Sequence, residues 1–161
     1  MRKVCKLLRP ALCVMLVLIL TLGCISLSAA EGKKKYTIML YICGSDLERD
    51  NGQMSRCMSS LMSTHFNQDE VNAVALLGGT PRWAANAFDA SVLNVVELAS
   101  RRPKKVDEFP LAPMSDGATL KQFLAYCREN YPAEHYVLEI CNHGGGPLRG
   151  CCVDLLFGCN T

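Results

Sequence analysis

The chain has 161 residues, enough for one domain with a real core and hardly enough for two. Half of them are apolar and a fifth charged, a globular balance that excludes an intrinsically disordered protein. Arg2, Lys3, Lys6 and Arg9 supply four of the seventeen basic side chains behind the formal charge of +2. Without them the fifteen acids leave residues 31–161 at −2, which gives no basis for nucleic-acid binding.

MRKVCKLLRP followed by ALCVMLVLILTLGCISLSAA has the basic start, apolar stretch and small-residue end of a secretory signal, with Ser28 and Ala30 at the positions that favour cleavage after Ala30. Two alternatives stand beside it. Cys24 in Thr21-Leu22-Gly23-Cys24 resembles a lipoprotein cleavage box, with Thr21 a poor fit. The run of residues 11–27 is close to the ~18 residues that span a bilayer, which allows membrane attachment. All three place the domain, residues 31–161, outside the cytoplasm.

Residues 36–43 are a dense apolar and β-branched run, the pattern of a strand buried on both faces in a parallel sheet. Gly44-Ser45-Asp46 reads as the loop that ends it. Met54, Met58, Leu61 and Met62 at helical spacing predict a helix over about 52–64 packed on that sheet. VNAVALLGG, residues 71–79, predicts a second buried strand. Residues 86–98 fit a strand pair or a short helix equally, RRPKK at 101–105 reads as a solvated turn, and the two prolines of DEFPLAPMSD predict a loop. Asp116 is placed to cap a helix in which Leu120, Phe123, Leu124 and Cys127 share a face, ending at Asn130-Tyr131-Pro132. HYVLEIC, residues 135–141, predicts a third buried strand with Asn142-His143-Gly144-Gly145-Gly146 at its carboxyl end. The order implies an α/β three-layer sandwich with a mainly parallel sheet, whose active site gathers at the carboxyl ends of the strands.

The cysteines do not form a readable framework. Cys5, Cys13 and Cys24 lie in the signal, and the remaining seven are an odd number with no Cys-x-x-Cys pair. Cys43 and Cys141 are expected to pack as small apolar residues at strand ends. His65, His135 and His143 match no metal-ligand spacing, so no metal is expected. His143, between an apolar run and three glycines, is by itself a general base, a metal ligand or a residue of a tight turn.

Taken in order, YTIMLYICGSDLE, VNAVALLGGTPRW, APMSDGATLKQFLAYCRENYPAEHY and NHGGG resemble the clostripain-like cysteine peptidases, over about residues 36–150. The resemblance implies a caspase-like α/β fold and hydrolysis of peptide bonds after Arg or Lys in peptide and protein substrates. It implies that His143 is the catalytic histidine that helps to activate a cysteine thiolate. It also implies that Gly144 and Gly145 keep backbone close to the reacting carbonyl, where an N–H can help to hold the oxyanion. Trp83 and Asp46 match recurring family positions, and a packed indole and a loop-capping carboxylate are expected there. Some relatives need calcium, but no loop here has the acidic density of a calcium site, so no cofactor is expected.

In that family the nucleophile lies at the end of the next strand, in an Asp-x-Cys context whose aspartate also binds the basic side chain. This sequence has no Asp-x-Cys and stops 18 residues after His143. Cys152-Val153-Asp154 fits a family segment in which Cys152 is structural, whereas the final LLFGCNT departs from the family. The expectation is an incomplete peptidase domain, its sheet cut after the third core strand, without a nucleophile and partnered by a missing carboxyl-terminal half. Such a sheet exposes an unpaired edge and apolar surface, at roughly 25 cal/mol per Å² of burial lost. The competing expectation is a non-catalytic secreted or lipid-anchored binding domain, or a degenerate peptidase.

Overall fold

Strand β1, Lys34–Cys43, is the axis of the molecule: it pairs in parallel with β2, Val71–Gly78, on one side and with β5, Ala133–Cys141, on the other. Its unbroken apolar run is what such a position selects, and Met39 to Cys43 are all buried. Beyond β2 the sheet continues with β3, Val92–Glu97, and β4, Lys104–Pro110, in the order β4-β3-β2-β1-β5. Strand β3 runs antiparallel to both its neighbours, so the sheet is mixed. This computed structural model describes residues 33–98, 102–146 and 150–160, all within one unit, Lys33–Thr161. The expected signal, lipoprotein box and anchor lie outside the described residues. Among the described residues no helix is long and apolar enough to cross a membrane.

Helices cover both faces of the sheet, giving the expected three layers. On one face α2, Gln53–Ser63, buries Met54 and Met58 against Leu40, Ile42, Ala75, Leu77 and Val96, the stripe that its methionine spacing predicted. On the other, α3, Gly117–Asn130, buries Phe123 and Cys127 against Met39, Tyr41, Val74 and Leu93, with Leu120 and Leu124 partly buried beside them. Asp116 caps α3 as its position foretold: its Oδ1 accepts from Ala118 N at 2.9 Å. Asp116→Ala is expected to cost about 1 kcal/mol in chemical denaturation; a loss below about 0.3 kcal/mol would show the cap to be idle.

Four expectations need correction. Gly44-Ser45-Asp46 does not continue as loop; it opens a seven-residue helix, α1, Ser45–Asn51. Such a helix is too short to show an apolar stripe and is held by tertiary bonds. Residues 86–98 hold one strand, β3 at Val92–Glu97, preceded by a 3₁₀ turn at Ala84–Asn86, and not a strand pair. Lys104, Lys105 and Asp107 to Pro110 belong to β4, not to a turn and a loop. An outermost strand tolerates charge and ends on proline without losing a ladder bond, and the irregular register at Val95/Val96 twists it further. Finally, β5 is not buried: it is the opposite edge, and Tyr136, Val137, Leu138 and Ile140 stand 38–47% exposed. Its apolar content matches a partner on its outer side that the described residues do not supply.

Candidate active site

The parallel register brings three chain ends together. Ile42 of β1 lies opposite Cys141 of β5, and Cys43 lies opposite Gly78 of β2. One step further, the residues after β1, β2 and β5 share the carboxyl end of the sheet, where open α/β sheets place their sites. Asn142 ties the end of β5 to the end of β1 and to Val153. Its Nδ2 donates to Cys43 O at 2.6 Å, and its Oδ1 accepts from Val153 N at 3.0 Å. His143 therefore leaves β5 from a fixed point, with an imidazole 42% exposed.

The glycines that follow have the conformations their identity permits. Gly144 and Gly146 sit at φ +70° and +66°, the left-handed region, and a Cβ on either would meet nothing within 4 Å. Glycine is thus required here by backbone angle and not by crowding. The N–H of Gly145 donates to Gly150 O at 2.6 Å, and Gly150 N–H returns to Gly146 O at 3.0 Å. That closure engages the Gly145 N–H within the turn, leaving Gly144 as the glycine next to the histidine to be considered for an oxyanion.

Asp46, expected to cap a loop, does something else: its Oδ1 lies 2.8 Å from His143 Nε2. Hydrogen bonding from His143, above all, holds its carboxyl below the usual carboxylate range. Protonation of Asp46 as pH falls through that lowered value removes the carboxylate from the contact. Trp83 is buried, its ring edge-on to Phe88, the packed indole that was expected.

Two further buried groups shape the site. Glu48 of α1 accepts from Ser55 N, Ser55 Oγ and Ala84 N at 2.6–2.9 Å, binding α1 to the first turn of α2 and to the 3₁₀ turn. Asp154, fully buried, accepts from Met114 N at 2.7 Å and from Leu156 N at 2.9 Å, locking the segment beyond the glycine turn. Glu48 was hidden in the sequence among other charged residues, and Asp154 between two apolar ones.

No cysteine among the described residues is hydrogen-bonded to His143. Cys43 is buried and donates to Val153 O at 3.2 Å; its contact with Cys152 and its burial push the thiol up, away from thiolate. Cys127 and Cys141 are pushed up to about 12, in both chiefly by burial. Cys152 packs in the core, the structural part expected of it, while Cys57 and Cys151 are exposed. A groove of about 540 Å³ runs between α2 and β5, lined by Met54, Met58, Leu61, Ile140 and Asn142 among others. Among the described residues no three of His, Cys, Asp and Glu gather as metal ligands.

Comparison with known proteins gives this arrangement a family. A sequence model of the Clostripain family matches residues 41–154, from the middle of β1 to Asp154. The chain belongs to the clostripain family, a family of cysteine-type peptidases. Clostripain of Hathewaya histolytica is 29% identical over 136 residues, which are 75% of this chain and 26% of that protein. The chain thus spans about a quarter of the length of that relative. Among solved structures, a clostripain from Bacteroides thetaiotaomicron in complex with the peptide inhibitor BTN-VLTK-AOMK superposes with a TM-score of 0.53 at 15% identity, covering 72% of this chain and 96% of that one. A B. fragilis cysteine protease gives 0.52 at 14%, covering 70% and 92%. A secreted cysteine protease from Bacteroides thetaiotaomicron, iotapain, gives 0.51 at 14%, covering 71% and 31%. At these identities the likeness establishes the shared caspase-like fold.

Proposed function

We propose that the chain carries the histidine half of a Cys–His dyad in a secreted endopeptidase that cleaves after Arg or Lys, and that the nucleophilic cysteine comes from outside these 161 residues. The observation that carries the reading is the placement of His143. It is an exposed imidazole at the carboxyl end of β5, fixed by Asn142 and followed by a glycine in the left-handed region. Family membership supports the thiol chemistry. Secretion is supported by the residues before Glu31 and by a relative described as secreted. A basic residue before the scissile bond is supported by the inhibitor of the Bacteroides clostripain, whose peptide ends on lysine.

In the proposed reaction His143 takes the proton of the cysteine thiol, and the thiolate attacks the peptide carbonyl. Negative charge gathers on the carbonyl oxygen, where an N–H of the glycine turn can meet it. As the C–N bond breaks, the imidazolium returns its proton to the leaving amine, and an acyl-enzyme remains. Water, deprotonated by the same imidazole, then releases the acid and regenerates the thiol.

The test compares residues 31–161 with the intact enzyme on Arg and Lys amide substrates under reducing conditions. Thiol-dependent turnover is expected from the intact enzyme, and none from residues 31–161. Turnover by residues 31–161 that disappears in Cys151→Ala would overturn the assignment and make Cys151 the nucleophile. An intact protein that binds peptides without cleaving them would instead favour a non-catalytic binding domain.

A further inference from the structure

We infer that Asp46 is the positioning residue of His143, selecting the tautomer and orientation in which the imidazole can act as a base; this rests on the dyad proposed above. An ionised carboxylate only accepts hydrogen bonds, so the 2.8 Å contact requires the proton on His143 Nε2. Nδ1 is then the unprotonated nitrogen, free to take the thiol proton. Once it does, the ring is a cation whose Nε2–H still points at Asp46, and the carboxylate stabilises that charge. The proton later leaves from Nδ1 to the amine, and Asp46 itself is never protonated.

An ion pair this exposed would ordinarily be incidental, worth about 0–1 kcal/mol, because two mobile side chains must be held in one geometry. Here both ends are held by the fold. On the Asp46 side, Gly44 N–H donates to Gly78 O at 2.8 Å and Ser45 N–H to Gly79 O at 3.1 Å. Thr80 Oγ1 donates to Ser45 O at 3.0 Å, and buried Glu48 fastens the other face of α1. Any side chain at position 44 would strike Thr80, at 2.9 Å from the Cβ, so the approach of α1 to β2 depends on glycine. On the His143 side, Asn142 brackets β1 and Val153. The charged neighbours on α1 have partners of their own: Arg49 pairs with Asp50, and Glu48 accepts from Ser55 and Ala84. A contact 97 residues apart in sequence, with both supports rigid, is a built one.

Two readouts test this. In long-range ¹H–¹⁵N spectra of the selectively labelled 161-residue chain near neutral pH, unprotonated His143 should show a proton on Nε2 and none on Nδ1. Asp46→Ala should let both tautomers populate, whereas Asp46→Asn, whose amide oxygen still accepts, should keep the Nε2–H form. A His143 held as the Nδ1–H form, or tautomer populations unchanged in Asp46→Ala, would overturn the assignment. In the intact enzyme, Asp46→Ala should lower kcat about tenfold to a hundredfold with KM unchanged, and Asp46→Asn should fall between it and wild type. Equal kcat in wild type and Asp46→Ala would overturn a positioning role. Activity surviving in His143→Ala would instead overturn the dyad, and the tautomer result distinguishes the two failures because it needs no catalysis.

Discussion

His143→Ala in the intact enzyme is expected to lower kcat/KM by at least about a thousandfold, some 4 kcal/mol of transition-state stabilisation, while stability changes by less than about 1 kcal/mol. The separation of the two effects follows from where the side chain stands. The imidazole is 42% exposed and Asp46, its side-chain partner among the described residues, is exposed to the same extent, so little packing is lost with it. Its backbone is fixed by Asn142 and not by the ring, so the glycine turn should keep its shape. Activity on Arg and Lys amides within tenfold of wild type, with unchanged thermal unfolding, would end the assignment of His143 as the base.

Gly79→Ala should produce the largest loss of stability, about 3 kcal/mol, or a fall of about 10 °C in Tm. Gly79 sits at φ +70°, where a non-glycine residue carries roughly 1–2 kcal/mol of strain. The new Cβ would also stand 2.4 Å from Cys43 Sγ, a fully buried atom with no room to withdraw. The carbonyl of Gly79 accepts from Ser45 N at 3.1 Å and from Leu155 N at 3.2 Å, so distortion there reaches α1 on one side and the segment after the glycine turn on the other. Cys43→Ala in the same chain removes the steric part and should recover roughly half of the loss, leaving the backbone part. Additive losses from the two substitutions would show that the clash with Cys43 is not the cause.

Much of the scaffold was legible because its elements carry their own pattern. The apolar runs of β1 and β2, the methionine spacing of α2 and the capped helix after Asp116 are each local signals, and each fell within a residue or two of its expected place. Where sequence reading failed, the cause lies in partners far along the chain. Helix α1 owes its existence to bonds from Ser45 and Glu48 to the residues that follow β2, to α2 and to the 3₁₀ turn, none visible in SDLERDN. Strand β4 looked like turn and loop because an outermost strand is under no demand to be apolar. Strand β5 looked buried because Val137, Leu138 and Ile140 are residues that a strand with two neighbours would choose. His143 could be found from its glycines. Its partner could not, because the spacing of 97 residues becomes proximity only once Ile42 is registered against Cys141.

Among the described residues the two edges of the sheet are unequal: β4 is charged and irregular, while β5 is regular and has no strand on its outer side. Growth of the sheet by another strand is open, among the described residues, on the β5 side, and that side ends at His143. Adjacent strands lie about 4.8 Å apart, so the carboxyl end of any parallel strand laid on β5 arrives one strand width from the imidazole. On the proposed dyad, assembly and competence become a single event.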